Sequence, residues 1–137
     1  MAEKRRRKME LKEYFKSKKG FGVLSTSDGA GRVDAAAYAS PHVIDDTHVA
    51  FIMGDKLSHA NIARNPHAVY LFKEDGPGYE GKRMFLKMEM ESRDEALIGN
   101  TCKTAWPGPY CVEKYLKGSF LVYFEVEKVL PLVVYET

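Results

Sequence analysis

The sequence has little of what marks several common functional classes. It holds only two cysteines, Cys102 and Cys111, with eight residues between them, too few for a disulfide framework. Its four histidines, His42, His48, His59 and His67, show no Cys–His metal spacing and no i, i+4 pairing, so no metal is expected. No apolar run approaches the ~20 residues that span a bilayer, so no membrane partner is expected. The basic start is not followed by an apolar signal core, because Met9 to Lys19 is half charged, and export is not expected. A cytoplasmic protein follows from these absences. In a reducing cytosol the cysteines are expected to remain thiols, although a disulfide around the turn-rich Ala105-Trp106-Pro107-Gly108-Pro109 is geometrically conceivable.

Net charge is only +2, too small to imply nucleic acid. The basic excess is local, in the run Lys4, Arg5, Arg6, Arg7 and Lys8. Contact of this run with RNA, DNA or an anionic membrane is the rival to a solvated, frayed terminus, and the frayed terminus is preferred. There is no internal repeat, low-complexity tract or linker, so the 137 residues are read as one domain. With 45% hydrophobic and 29% charged residues the chain is ordinary globular material. A chain of this length buries roughly two-thirds of its unfolded surface.

What is present is mostly strand patterning. Met9 to Lys19 predicts a helix with Met9, Leu11, Tyr14 and Phe15 on one stripe and Gly20 as its stop. Phe21 to Thr26 and Arg32 to Ser40 flank a turn holding Asp28-Gly29, which predicts a hairpin ended by Pro41. Asp45-Asp46 marks a turn, and Thr47 to Met53 reads as a buried strand ending at Gly54. Lys56 to Asn65 has helical spacing, with Asp55 as the expected N-cap and Pro66 as the limit. His67 to Phe72, Lys82 to Glu91 and Ser119 to Glu127 read as strands, the last continuing to Tyr135 with a bend or edge at Pro131. Arg93 to Lys103 and Tyr110 to Leu116 read as helical. About six strands with short antiparallel connections and a few short helices predict an α+β protein, mainly β, built as a six-stranded antiparallel barrel.

Two segments carry chemistry. In Gly54 to Pro66 a strand end leads into a helix start bearing Lys56 and Ser58, with Asn61 one turn on. Unpaired amides and the helix dipole suit a phosphate there, and Lys56 adds charge. An amphipathic connector helix with surface polar residues explains the same pattern. In Val33 to Ser40, four alanines make poor strand material but let a flat ligand lie against the backbone. Close packing of a helix against the sheet explains that pattern equally well.

The order of hairpin, small-residue strand, strand ending in Gly, Lys-Ser helix with Asn61-Ile62-Ala63-Arg64-Asn65-Pro66, and strand resembles the flavin-binding split barrels related to pyridoxamine 5′-phosphate oxidase. It looks closest to their short members. The resemblance covers roughly residues 10 to 130 and is sharpest from Asp55 to Pro66. It implies a six-stranded split barrel that forms homodimers with FMN at the interface. Lys56, Ser58 and Asn61 would then serve the phosphate and ribityl. Ala35, Ala36, Ala37 and Tyr38 would line the isoalloxazine on one side, and Ile52, Met53 and Gly54 on the other. Trp106 is a candidate cover from the other subunit, with a core or interface role equally open. Tyr79, in the loop before the long strand, could stack on flavin or substrate, but a surface role is preferred. Several relatives place Lys directly before the hydroxyl residue, whereas Leu57 intervenes here.

The function implied is an FMN-dependent oxidoreductase acting on a small molecule or an NAD(P)H-type donor. The alternative is a non-enzymatic flavin-binding or electron-transfer protein. The extra basic residues that a vitamin B6 phosphate substrate would need are not seen. No His–carboxylate pair or Ser-His-Asp order demands acid–base or acyl-transfer chemistry.

Overall fold

The computed structural model describes residues 11–45, 47–105, 111 and 116–133. The expected positions at Lys4 to Lys8 and at Trp106 lie outside these residues, as does most of the expected helical turn from Tyr110 to Leu116.

Helix α1 (residues 11–17) leads into β1 (Gly20–Ser27) and β2 (Val33–Ala37). Then come β3 (His42–Asp45), β4 (His48–Met53) and helix α2 (Leu57–Arg64). Strands β5 (His67–Glu74) and β6 (Gly81–Ser92) precede helix α3 (Glu95–Ala105), and β7 (Phe120–Pro131) follows. All pairings are antiparallel, in the order β2-β1-β5-β6-β7-β4-β3. The sheet thus has seven strands rather than the expected six, and it does not close by hydrogen bonds between its two end strands. The extra strand is β3. Only four residues long, it lies between Pro41 and the Asp45 turn, too short to show alternation against two breakers. The side chain of Asp45 accepts from the Thr47 amide at 2.9 Å and holds that turn.

The sheet rolls up around one apolar face. Strands β4 and β5 are separated by two intervening strands, yet Phe51 and Tyr70 stand 5.0 Å apart, ring centre to ring centre. The core joins Leu24, Val49, Phe51, Tyr70, Phe72, Met84, Leu86, Val122 and Phe124, each at every second position of its strand, as period-two alternation demands. Helix α1 closes one part of the roll through Leu11, Tyr14 and Phe15. The Tyr14 hydroxyl donates to Glu74 at 2.6 Å, and burial together with that bond pushes its pKa well up. Helix α3 covers the opposite face of β4 and β7, where Ile98 packs on Ala50 and Leu121.

The bend after β2 is set by a polar contact inside this core. Gly22 leaves its side-chain space to the Tyr70 hydroxyl, which a Cβ there would strike. That hydroxyl donates to the Tyr38 carbonyl at 3.0 Å, and the Tyr38 amide donates to the Gly22 carbonyl at 3.0 Å. Tyr70 is fully buried, so its proton has one good acceptor and its pKa is pushed well up by burial.

Cys102 and Cys111 form the disulfide that a reducing cytosol was expected to disfavour, with Cα atoms 5.7 Å apart. Cys102 is buried on α3, and Cys111 is half-buried beside it. No helix among the described residues is long and apolar enough to cross a membrane.

Gly22→Ala is expected to destabilise the fold by about 1–3 kcal/mol through overpacking against Tyr70. Tyr70→Phe is expected to cost about 1–3 kcal/mol, because it strands a buried carbonyl. Urea unfolding measures both, and a neutral Gly22→Ala would exclude the close approach.

Candidate functional site

Helix α2 starts one residue later than the sequence suggests. Lys56 is its N-cap in extended conformation and makes no side-chain capping bond. Asp55, the expected cap, falls in a tight turn in which the Lys56 amide donates to the Gly54 carbonyl at 2.9 Å. The first turn contains no acidic residue. Helix-start amides and the exposed Lys56 favour an anion there, with Asp55 just before the cap and Asp34 bonded to Ser58 as the opposing charges.

The other two expected phosphate residues are turned inward. Ser58 is 5% exposed and donates to Asp34 of β2 at 3.3 Å. Asn61 is 6% exposed, and its Nδ2 donates to the Thr26 hydroxyl of β1 at 3.0 Å. These bonds anchor α2 to the β1–β2 hairpin, as a connector helix would be anchored. The Ser58 hydroxyl also lies against Tyr38, whose pKa is raised chiefly by burial, with the Ser58 bond lowering it and Asp34 raising it. A cleft of about 460 Å³ runs between hairpin and helix, lined by Arg32, Asp34, Leu57, Asn61 and Arg64 among others. Arg32 and Arg64 are its cations, neither singled out from the sequence, and they are matched by Asp28 and Asp34, with Arg32 paired to Asp28 at 3.4 Å.

The expected ring walls separate by side-chain direction. Ala35 and Ala37 face outward and are exposed, whereas Ala36 and Tyr38 are partly covered. Met53 is fully buried in the core, so only its backbone can face a ligand. Gly54 is exposed and Ile52 partly covered. Tyr38 and Ile52 do meet, at an apolar pocket of about 140 Å³ shared with Ala39, Phe51, Cys102 and Leu116. Ligand pockets typically hold about 300–1,000 Å³, so this pocket falls below that range. The residues present are compatible with a flavin: Lys56 at an uncapped helix start for a phosphate, and a small apolar pocket beside the exposed Ala39 for a ring.

Histidine–carboxylate pairs do form: Glu89 and Glu91 lie on β6, beyond the reach of local spacing, whereas Asp45 is only three residues before His48. His59 Nε2 contacts Glu91 at 2.8 Å, and its ring stacks on Phe120 at 3.8 Å. His48 contacts Asp45 through Nδ1 and Glu89 through Nε2, each at 2.8 Å, and Glu125 stands opposite it in register. Two carboxylates on two nitrogens require both to donate. The Asp45 bond raises the His48 pKa, burial opposes this, and the charges of Asp45 and Glu89 add to the rise. These pairs brace strands and lie apart from the apolar pocket.

The rolled sheet has the fold of the pyridoxamine 5′-phosphate oxidase-like split barrels. No protein-family model and no curated protein matches the sequence; the likeness is to solved structures. An FMN-binding protein from Syntrophomonas wolfei aligns over 98% of this chain and 90% of its own, at TM-score 0.73 and 16% identity. A candidate pyridoxamine 5′-phosphate oxidase from Lactobacillus delbrueckii aligns over 88% and 90%, at TM-score 0.65 and 20% identity. An F420 reductase aligns over 86% and 94%, at TM-score 0.64 and 17% identity.

Asn61→Ala is expected to cost about 1–3 kcal/mol by stranding the Thr26 hydroxyl, and Thr26→Val in the same chain should recover part of it. Chemical denaturation of the two single variants and the double variant measures the coupling; strict additivity would exclude it. The sign for His48 follows from its raised pKa: its stabilisation is complete below the ordinary value of about 6.5 and is lost as pH rises through the folded value. His48→Asn should therefore cost more stability near about pH 5.5 than near about pH 9. Equal costs in melting experiments at both pH values would exclude the charged pair.

Proposed function

We propose that this protein binds FMN between two copies of the chain and serves as an FMN-dependent oxidoreductase. The observation that carries the reading is the start of α2: no acidic residue, no side-chain cap, and Lys56 at the N-cap. That start adjoins the β2 alanines and the Tyr38–Ile52 pocket. Neighbours in fold include a protein named for binding FMN, and the F420 reductase makes a deazaflavin the competing ligand.

In this reading the amides of α2 and the Lys56 ammonium hold the phosphate. Ser58 and Asn61 keep the helix seated on the hairpin, so that these amides stay aimed. The exposed backbone of Ala35 and Ala37 and the pocket at Tyr38 and Ile52 take one face of the ring. The pocket is too small for the whole ring, so a second copy completes it. FMN, when bound, supplies the electron transfer, and the protein supplies position, polarity and exclusion of water. Donors near the pyrimidine end, such as the amides of Ala35 and Ala37, would favour the reduced anion.

A carrier role rests on one observation of its own. The pocket is lined by Tyr38, Ala39, Phe51, Ile52, Cys102 and Leu116, and among these described residues no carboxylate or histidine stands ready to move a proton. Stopped-flow mixing with NADH or NADPH separates the roles: fast, saturable reduction marks an enzyme, and slow, linear reduction a carrier.

The purified protein is expected to be yellow, dimeric by sedimentation, and to release FMN on denaturation. Lys56→Ala should weaken FMN by about 1.5–3 kcal/mol, the worth of one charge-assisted bond. Equilibrium titration checks this. A colourless protein that takes up F420 but no FMN would replace the cofactor, and one that takes up neither would sink the reading.

A further inference from the structure

The Cys102–Cys111 bond and Leu116 line two cavities of opposite character. Cys102, 5% exposed on α3, lines the apolar pocket with Tyr38, Phe51 and Ile52. Cys111 lines a second cavity of about 260 Å³, shared with Glu95, Ala96, Gly99, Lys103 and Lys117. Leu116 lines both and also packs on the Ala50–Ile98–Leu121 cluster. Among the described residues, this bond and Leu116 are what the two cavities have in common.

We propose that Cys102–Cys111 is a thiol-exchange site, attacked from the polar cavity by a small anionic thiol, and that its reduction opens the apolar pocket. Disulfide exchange requires a thiolate to reach one sulfur while the other leaves. The half-buried Cys111 is the reachable sulfur, and the buried Cys102 is the leaving one. Lys103 and Lys117 draw an anionic thiol in. Glu95 is the opposing charge in the same cavity.

The thiolate attacks Cys111 Sγ, the S–S bond breaks, and Cys102 leaves as thiolate and takes a proton from water. A second thiolate attacks the sulfur of the bound thiol, releasing Cys111 as thiolate and the reagent as its own disulfide. Two thiols are oxidised and one protein disulfide is reduced. Without the bond, Leu116 keeps its packing on the Ala50–Ile98–Leu121 cluster and the bonds its carbonyl accepts from Ser119, but Cys111 no longer ties that wall to α3, and the wall of the pocket loosens. Only the consequence for FMN rests on the function proposed above.

The test uses the full chain, kept in air or reduced with glutathione. The air-equilibrated protein should show no thiol that reacts with iodoacetamide, by intact mass. Reduction should raise hydrogen exchange in residues 50–53 and 98–102 severalfold relative to β1. Lys103→Gln with Lys117→Gln should slow reduction by glutathione about 3–10-fold, while reduction by neutral 2-mercaptoethanol changes less than twofold. Two free thiols in the air-equilibrated protein, or equal exchange in both forms, would overturn the proposal. So would an equal effect of the lysine changes on both reagents. The exchange measurement needs no flavin, so failure of both forms to bind FMN would count against the cofactor alone.

Discussion

Tyr70 stands fully buried in the rolled sheet, between Phe51 and Phe72 and against Phe15 of α1. A phenol in that position must place its hydroxyl somewhere, because an unpaired polar group in an apolar core costs about as much as the ring's burial gains. The solution is the gap at Gly22. The hydroxyl occupies the space where another residue would carry a side chain, and it holds the carbonyl of Tyr38. One interaction therefore ties β5 to β1 and fixes where the chain leaves β2. Everything attributed to the candidate site depends on that exit, since Tyr38, Ala39 and the alanines before them are placed by it.

A second set of polar ties seats α2 on the same hairpin. Asn61 to Thr26 and Ser58 to Asp34 are both bonds between side chains of helix and sheet. They give Ser58 and Asn61 a supporting role in the fold itself. A free helix start aims its amides only if the helix cannot rock, and two buried bonds on its inner face restrain it. Lys56, left exposed at the N-cap, remains the one side chain of the expected phosphate set that faces solvent.

Most of the strand layout was legible because alternation is local. The β6 pattern of Met84 and Leu86 inward against Phe85 and Lys87 outward appears in any window of the sequence. Strand β3 was missed because four residues between a proline and an aspartate turn carry no period. Asp55 was misplaced as a cap because the tight turn from Gly54 to Lys56 moved the helix start by one residue. The pairing of His48 with Glu89 could not be foreseen, since the two are brought together across an intervening strand, whereas Asp45, three residues before His48, was within local reach.

The Lys56–Ser58–Asn61 segment was recognisable from its order alone, and so was the alanine strand. Helix periodicity, strand alternation and turn residues act over a few positions, and the sequence by itself determined that much. Which of those side chains face solvent, and which support their neighbours, was decided by packing. The same is true of the pairing of Cys102 with Cys111 beside Ile52. Such choices depend on contacts between residues far apart in the chain, and only the curl of the sheet brings them within reach.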